Sequence, residues 1–235
     1  MGDRNWWKAT LHQGKNPFDG LEGEKPPGYW QSVGGWNSVF RDVVQSEKPR
    51  EIVEVGTWIG RSAVEMSSIQ RKLGIDESVT VCVDTWLGYP DWREWEGDRV
   101  IWKHQFFESL RIENGFPRLY DTFAKAIVFH ELEEFIVPFP ATSTQAYKWM
   151  KARDVRPDLI YIDGDHSEIQ TYEDMKNYYD LLPSGKLMFG DDYDDPTWGG
   201  VTRAVDRFVK DRGIVVDFFK DDNRKYKRYW MIRKN

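Results

Sequence analysis

Residues 158–166 read Asp-Leu-Ile-Tyr-Ile-Asp-Gly-Asp-His, and residues 186–193 read Lys-Leu-Met-Phe-Gly-Asp-Asp-Tyr. In each stretch a short run of β-branched, aromatic or other apolar residues leads into an acidic turn, which is typical of a buried parallel strand. Residues 168–182 between them carry apolar side chains at helical spacing, and Pro183 and Gly185 end that helix. Strand, helix and strand in this order predict a right-handed crossover between parallel strands.

The two acidic turns are therefore expected at one edge of a sheet. Parallel strands end at the same edge, and open α/β sheets bind their ligands there. Four carboxylates that converge at such an edge repel one another unless a cation or a proton joins them. The residues alone thus favour a divalent metal at this place.

The rest of the chain alternates in the same way. Further strands are predicted at 51–55, 79–83 and 135–139, helices at 36–47, 62–73, 142–150 and 201–209, and a closing antiparallel hairpin at 214–219 and 226–232. Residues 125–129 suit either a strand or a helix end. The predicted fold class is α/β, a Rossmann-like, doubly wound and mostly parallel sheet with a C-terminal antiparallel hairpin. Residues 1–30 are interpreted as an irregular N-terminal arm, and 31–235 as one domain with an aromatic insertion at about 86–113.

Composition restricts the kind of protein. The 235 residues are 40% hydrophobic and carry a net charge of −6, which argues against nonspecific binding to nucleic acid or anionic membrane. No apolar run approaches the roughly 20 residues that span a bilayer, and the N-terminus has no signal-peptide core. Cys82 lies in an apolar run, so core packing is its expected role. We expect a soluble, cytoplasmic protein or a domain of a larger one.

A second ligand-binding signal lies earlier in the chain, at residues 54–62, where the sequence is Glu-Val-Gly-Thr-Trp-Ile-Gly-Arg-Ser. Glycines in a turn between strand and helix allow close approach of the backbone, and the helix N-terminus offers free amide donors. Asp84 closes the second strand, where an acid can accept hydrogen bonds from two ribose hydroxyls. Together the two features favour a cofactor that contains adenosine.

These motifs, with Val-Asp-x-Trp at 83–86 and the two acidic turns, resemble those of class I S-adenosylmethionine-dependent methyltransferases over residues 36–232. The branch with the greatest similarity is the metal-dependent O-methyltransferases that act on sugars of antibiotics and glycans. The chain also resembles sugar O-methyltransferase domains attached to glycosyltransferases of large algal viruses.

The resemblance implies two cofactors, S-adenosylmethionine and Mg²⁺ or Mn²⁺, and a sugar or glycan as acceptor. It implies metal ligands at Asp163, Asp191 and Asp192, and a catalytic proton acceptor at Asp165 or His166. A homodimer is compatible with it; nucleic acid and membrane are not expected as partners. The cofactor contacts that it implies are Glu54, Gly56, Thr57, Gly60, Ser62, Asp84, Thr85, Trp86, Thr142, Ser143 and Asp163.

Alternatives remain open at this point. Asp165 could cap the following helix, and His166 could bind a loop carbonyl. Asp194 and Asp195 are expected to be turn or cap residues. Aromatic side chains crowd the segment from Trp86 to Phe107, and their faces suit sugar rings and planar phenols equally. A catechol-like acceptor, or a module that binds cofactor or glycan without catalysis, therefore competes with the sugar methyltransferase.

Overall fold

The computed structural model describes residues 3–26, 37–89, 107–220 and 228–235. The strands are β1 Glu51–Val55, β2 Val79–Asp84, β3 Ile136–Pro140, β4 Leu159–Ile162, β5 Leu187–Tyr193, β6 Asp217–Lys220 and β7 Arg228–Arg233. The α-helices are α1 Arg4–His12, α2 Ser38–Glu47, α3 Arg61–Lys72, α4 Leu119–Phe129, α5 Ser143–Ala152, α6 Glu168–Leu181 and α7 Gly199–Arg212. A 3₁₀ turn at Pro196–Trp198 precedes α7.

These strands form one sheet of seven in the order β3-β2-β1-β4-β5-β7-β6. The pairs from β3 to β5 are all parallel, whereas β7 is antiparallel to both β5 and β6. The predicted fold class, a Rossmann-like and mostly parallel sheet closed by an antiparallel hairpin, is confirmed. The turn of that hairpin lies outside the described residues.

Helices cover both faces of the sheet, which is why the parallel strands are apolar along their whole length. Ile160, Ile162 and Met188 face a core that α5, α6 and α7 complete. Leu159, Tyr161, Leu187 and Phe189 face the other side, against α2 and α3. Residues 125–129, which the sequence left undecided, are the C-terminal part of α4.

The N-terminal arm contains a helix that the sequence did not predict. Asp3 caps α1 by accepting a hydrogen bond from the backbone N–H of Trp6 at 2.7 Å. Trp7 is fully buried and stacks on Trp149 of α5, with ring centroids 5.7 Å apart. The prediction of an irregular arm is therefore wrong at residues 4–12, because one buried indole anchors this short helix in spite of the Gly- and Pro-rich sequence that follows.

The predicted aromatic insertion can be followed only at its ends, since residues 90–106 lie outside the described part of the chain. Trp86 and Leu110 are both buried, in a core with α4 and Cys82. Cys82 is a free, buried thiol, and its predicted packing role is confirmed. Among the helices that the structure describes, none is long and apolar enough to cross a bilayer.

Candidate active site

The site is built where three neighbouring strands end. Val55, Ile162 and Gly190 are paired across β1, β4 and β5, so the turns that follow them begin at the same level. The backbone N–H of Asp163 donates to the carbonyl of Val55 at 2.8 Å, which joins the first acidic turn to the glycine turn. The sequence-predicted cofactor turn and acidic turns are thus brought together at one edge.

The two glycines of the first turn are required by packing of the protein against itself. Gly56 has φ +85°, and a Cβ there would lie 2.3 Å from the carbonyl oxygen of Asp163. Gly60 also has φ +85°, and its Cβ would lie 2.8 Å from the ring of Phe123. The structure thus gives a packing reason for both glycines, and their contact with a cofactor stays a prediction.

Glu54 lies beneath this turn and is fully buried. Its carboxylate accepts hydrogen bonds from the hydroxyls of Thr57, at 3.0 Å, and Ser62. Burial raises the pKa of Glu54 to about 8, against the opposing effect of the two hydroxyls. Three predicted cofactor residues are therefore joined in one buried network below the turn, in which burial favours the protonated carboxyl.

Asp84 fixes the shape of the glycine turn from the neighbouring strand. Its carboxylate accepts from the backbone N–H groups of Thr57 at 2.9 Å, Trp58 at 2.8 Å and Trp86 at 2.7 Å. Burial raises the pKa of Asp84, and these backbone hydrogen bonds oppose that effect. Contact with a ribose remains a prediction for Asp84 and for the half-buried Thr85 beside it.

Trp86 was predicted to contact the cofactor, and the structure gives it a different role. Its ring is only 2% exposed and packs between Tyr120 and Phe123, with centroids 5.1 and 4.8 Å away. Its indole N–H donates to the carbonyl of Trp58 at 2.8 Å. Because both the ring and the indole nitrogen are engaged in the core, we assign Trp86 to packing, and its ring is not available to a cofactor.

Thr142 and Ser143 lie at the same edge, after β3. Thr142 is the N-cap of α5 and forms a reciprocal capping box with Gln145. Ser143 accepts from the side chain of Gln170 at 3.2 Å, and Gln170 also donates to the buried Asp174 at 2.8 Å. Burial raises the pKa of Asp174 to about 6. The predicted adenine contacts thus have local structural roles, and their contact with a cofactor stays a prediction.

Of the acidic residues, Asp163 and Asp192 come together, and His166 joins them. The Nε2 atom of His166 lies 2.8 Å from an oxygen of Asp192 and 3.6 Å from an oxygen of Asp163. These three side chains offer ligand atoms that all lie within 4.8 Å of one another, a grouping found nowhere else among the described residues. We call them the cation cluster.

Asp191, which was also predicted as a ligand, is not in the cation cluster. Successive side chains of a regular strand point to opposite faces, but β5 is irregular at this point, so the role of Asp191 as a ligand stays a prediction. A register shift in the pairing of β5 with β7 lies between Gly190 and Tyr193, and Asp192 has φ +63°. Asp191 accepts a hydrogen bond from the backbone N–H of Asp192 at 2.7 Å, and so supports its neighbour.

The two predicted proton acceptors differ in their surroundings. Asp165 accepts from the backbone N–H of Ser167 at 2.7 Å, so it stabilises the turn that starts α6. Burial lowers the pKa of His166, but hydrogen bonds to Asp163 and Asp192 outweigh this effect and raise it to about 10. As the structure stands, His166 is protonated at neutral pH and Asp165 is the half-exposed carboxylate. Asp195 caps the 3₁₀ turn, as expected of a bystander.

Sequence reasoning missed the residues that hold this cluster in place. Trp198 stacks on the ring of His166 with centroids 4.2 Å apart, and the hydroxyl of Tyr161 donates to Asp163 at 3.0 Å. The alternation of β4 carries a signal for Tyr161, because residues two apart on a strand share a face. No local pattern in the sequence indicates the contact between Trp198 and His166.

Comparison with known proteins agrees with this geometry. A family model for a methyltransferase domain matches residues 53–193, which is more than half of the chain. The chain belongs to this methyltransferase family. The matched range begins in β1 and ends with β5, so it contains the glycine turn, Asp84 and the whole cation cluster. No curated protein sequence matches the chain at a significant level.

Several solved structures with the same fold are described as methyltransferases. NovP, an O-methyltransferase, has a TM-score of 0.62 at 20% identity over 84% of this chain and 79% of its own. An O-methyltransferase from Bacillus cereus in complex with SAH has a TM-score of 0.56 at 12% identity, over 91% and 84%. CalS11, a calicheamicin methyltransferase, has 0.55 at 18% identity, over 83% and 77%. At these identities the likeness establishes the shared fold.

Proposed function

We propose that this methyltransferase transfers the methyl group of S-adenosylmethionine to a hydroxyl of a sugar or glycoside, with the help of a bound divalent cation. The observation that carries the proposal is the cation cluster, which adjoins the glycine turn at the carboxyl edge of the sheet. A methyl donor and a hydroxyl acceptor have to meet at such a place. In the transfer, the carbon–sulfur bond of the donor breaks, a carbon–oxygen bond to the acceptor forms, and the hydroxyl proton leaves.

The residues of the cluster suit a divalent cation. Two cis ligands about 2.1 Å from an octahedral ion are roughly 3.0 Å apart. The separations of 2.8 and 3.6 Å between His166 and the two carboxylates bracket that value. When bound, Mg²⁺ or Mn²⁺ would supply positive charge that orients a neighbouring hydroxyl and lowers its pKa. Asp163 and Asp192 would hold it with charged oxygens.

Asp165 is the residue that we propose as proton acceptor. Its carboxylate is half-exposed on the turn between two members of the cluster, and it accepts a hydrogen bond from the backbone N–H of Ser167. A carboxylate near a cation is a weak base, but an acceptor hydroxyl whose pKa is lowered needs only a weak one. His166 is less suitable, because its Nε2 atom already faces the carboxylates of the cluster, 2.8 Å from Asp192.

One observation is compatible with a sugar acceptor, and a second favours it. Tyr89 and Trp198 lie beside the cluster with ring centroids 6.3 Å apart, and aromatic faces pack well on the apolar faces of sugar rings. CalS11, which shares the fold, is described as a TDP-rhamnose 3′-O-methyltransferase. The same aromatic side chains would accept a catechol, so the experiment must include one.

The test incubates the protein with S-adenosylmethionine, Mg²⁺ or Mn²⁺, and either TDP-rhamnose, simple rhamnosides or catechol, with products read by mass spectrometry. We expect a methyl ether of the sugar, and loss of product with EDTA or with Asp192→Asn. Asp195→Asn is the matched control, since Asp195 caps the 3₁₀ turn and is not in the cation cluster, and it should keep its activity. Methylation of catechol alone would refute the sugar assignment. Activity that is insensitive to EDTA and to Asp192→Asn would refute the cation.

A further inference from the structure

We propose that Asp174 of α6 is a positioning residue for the cofactor, which holds the start of α5 against the first acidic turn. This inference rests on the proposed function, because it concerns the S-adenosylmethionine that the methyl transfer uses. It goes beyond that function by giving a role to a buried carboxylate that takes no part in the transfer itself.

Asp174, Gln170 and Ser143 form a closed triangle of hydrogen bonds. The side-chain nitrogen of Gln170 donates to Asp174 at 2.8 Å and to the hydroxyl oxygen of Ser143 at 3.2 Å. The hydroxyl of Ser143 in turn bonds to Asp174. Because Asp174 is only 2% exposed, its carboxylate depends on such donors in place of water. The triangle therefore fixes the side chain of Ser143, which begins α5.

The same face of α6 also holds the backbone of Ser143. Gln170, Asp174 and Tyr178 follow one another at intervals of four residues, so they lie in one row along the helix. Tyr178 is fully buried, and its hydroxyl donates to the carbonyl of Ser143 at 3.0 Å. The start of α5 is thus held by this row through both its side chain and its backbone.

The start of α6 is joined in the same way to the acidic turn before it. The hydroxyl of Thr171 donates to the backbone carbonyl of Asp165 at 2.7 Å. Asp174 faces this turn as well, because a Cβ on Gly164 would lie 3.8 Å from its Oδ2 atom. One buried carboxylate therefore lies between the acidic turn and the turn that leads into α5, and both turns carry predicted cofactor residues.

The position of α5 matters for an adenine ring. Ser143 and Thr144 are the first residues of this helix, so their backbone N–H groups have no partner within it. Adenine presents ring nitrogens that accept hydrogen bonds from donors of this kind. If the triangle is broken, Ser143 is released from α6 and these donors shift. The affinity for the adenosine part of the cofactor should then fall.

The test is calorimetric titration of the full-length protein with S-adenosylhomocysteine. We expect the dissociation constant to rise between roughly fivefold and a hundredfold in Asp174→Ala, the usual range for coupling between sites. Gln170→Ala, at a half-buried position, should raise it in the same direction, so the test stands even if Asp174→Ala does not fold. Asp174→Asn keeps an acceptor for Gln170 and should recover most of the affinity.

The matched control is Asp180→Ala. Asp180 also joins α6 to α5, through Lys151 at 2.9 Å, but it lies at the C-terminal end of α6. Its removal should leave the dissociation constant unchanged. Adenosine alone, titrated by nuclear magnetic resonance, should lose the same factor in Asp174→Ala as S-adenosylhomocysteine does.

The outcomes separate this inference from the proposed function. If the wild type binds S-adenosylhomocysteine and Asp174→Ala binds it equally tightly, Asp174 does not position the cofactor and the proposed function stands. The inference is also wrong if Asp174→Asn binds no better than Asp174→Ala, if the control loses as much affinity, or if adenosine binding is unchanged. If the wild type does not bind S-adenosylhomocysteine, the methyl donor of the proposed function is wrong and the inference falls with it.

Discussion

Replacement of Glu54 by glutamine tests the buried network under the glycine turn. Glu54 is fully buried in β1, and burial raises its pKa to about 8 despite hydrogen bonds from the hydroxyls of Ser62 and Thr57. In the unfolded chain the same carboxyl has its ordinary pKa of 4.5. Between these values the folded protein keeps the proton while the unfolded chain releases it. Glu54→Gln keeps the shape of the side chain and cannot ionise.

The expected magnitude follows from the two pKa values. The folded state binds more protons than the unfolded state from about pH 4.5 to pH 8, so the free energy of unfolding falls as the pH rises through this range. The stability contributed by Glu54 is complete below pH 4.5 and has been lost above pH 8. At about 1.4 kcal/mol for each pKa unit, the total loss is about 5 kcal/mol, of which about 3 kcal/mol falls between pH 5.5 and 8.5.

Urea unfolding of the metal-free protein, followed by far-ultraviolet circular dichroism at pH 5.5 and 8.5, measures this effect. His166 and Asp174 also titrate with raised pKa values, but they do so in both proteins, so the difference between wild type and Glu54→Gln isolates Glu54. Glu47→Gln is the control. Hydrogen bonds from Arg233 lower the pKa of Glu47, so it stays ionised in both states over this range.

Between pH 5.5 and 8.5 the free energy of unfolding of the wild type should fall by about 3 kcal/mol more than that of Glu54→Gln. Glu47→Gln should not differ from the wild type in this way. If the wild type and Glu54→Gln lose stability in parallel, Glu54 is ionised in the folded protein. The assignment of a neutral carboxyl beneath the turn would then be wrong.

Three further changes test the packing and the chemistry. Gly56→Ala should lower the free energy of unfolding in urea by at least about 2 kcal/mol, because its Cβ would meet the backbone of Asp163. Gly74→Ala, also at positive φ but in open space, should lower it by about 1 kcal/mol. Equal losses would contradict the packing argument. Trp7→Ala should lower the free energy of unfolding by about 3–5 kcal/mol, because it leaves a cavity where α1 packs on the core. A loss below about 1 kcal/mol would mean that α1 contributes little to stability. Asp165→Asn keeps an oxygen that can accept from the backbone N–H of Ser167 but is not a base, so kcat should fall by roughly 10²-fold with Mn²⁺ affinity and melting temperature unchanged. An unchanged kcat would exclude Asp165 as the proton acceptor.

The fold was predictable because its signals are local. Each of the five parallel strands is a short apolar run in the sequence. The crossover from one parallel strand through a helix to the next is almost always right-handed, which fixes the topology. The closing hairpin was predicted from two runs separated by a polar turn. The helix at residues 4–12 was missed because its stability depends on Trp7, whose partner Trp149 is far away in the chain.

The sequence predicted at which edge of the sheet the candidate site lies, but not which side chains meet there. Asp163 and Asp192 were placed correctly at one edge, because parallel strands must end together. The local backbone at Asp191 and Asp192 accompanies a register shift against β7, which the sequence around them does not indicate. The burial of Trp86 depends on α4, and no pattern around residue 86 indicates that contact.

The sequence by itself determined the α/β sheet, the edge at which ligands bind, and the acidic character of the site, since these follow from the periodicity of apolar residues and the residues that end each strand. Tertiary structure decided which side chains meet there. It brought His166 to Asp163 and Asp192, and it set Trp198 against the imidazole ring. The physical reason is that a side chain's direction is fixed by the local backbone and by neighbours from other strands and helices, neither of which the nearby sequence specifies.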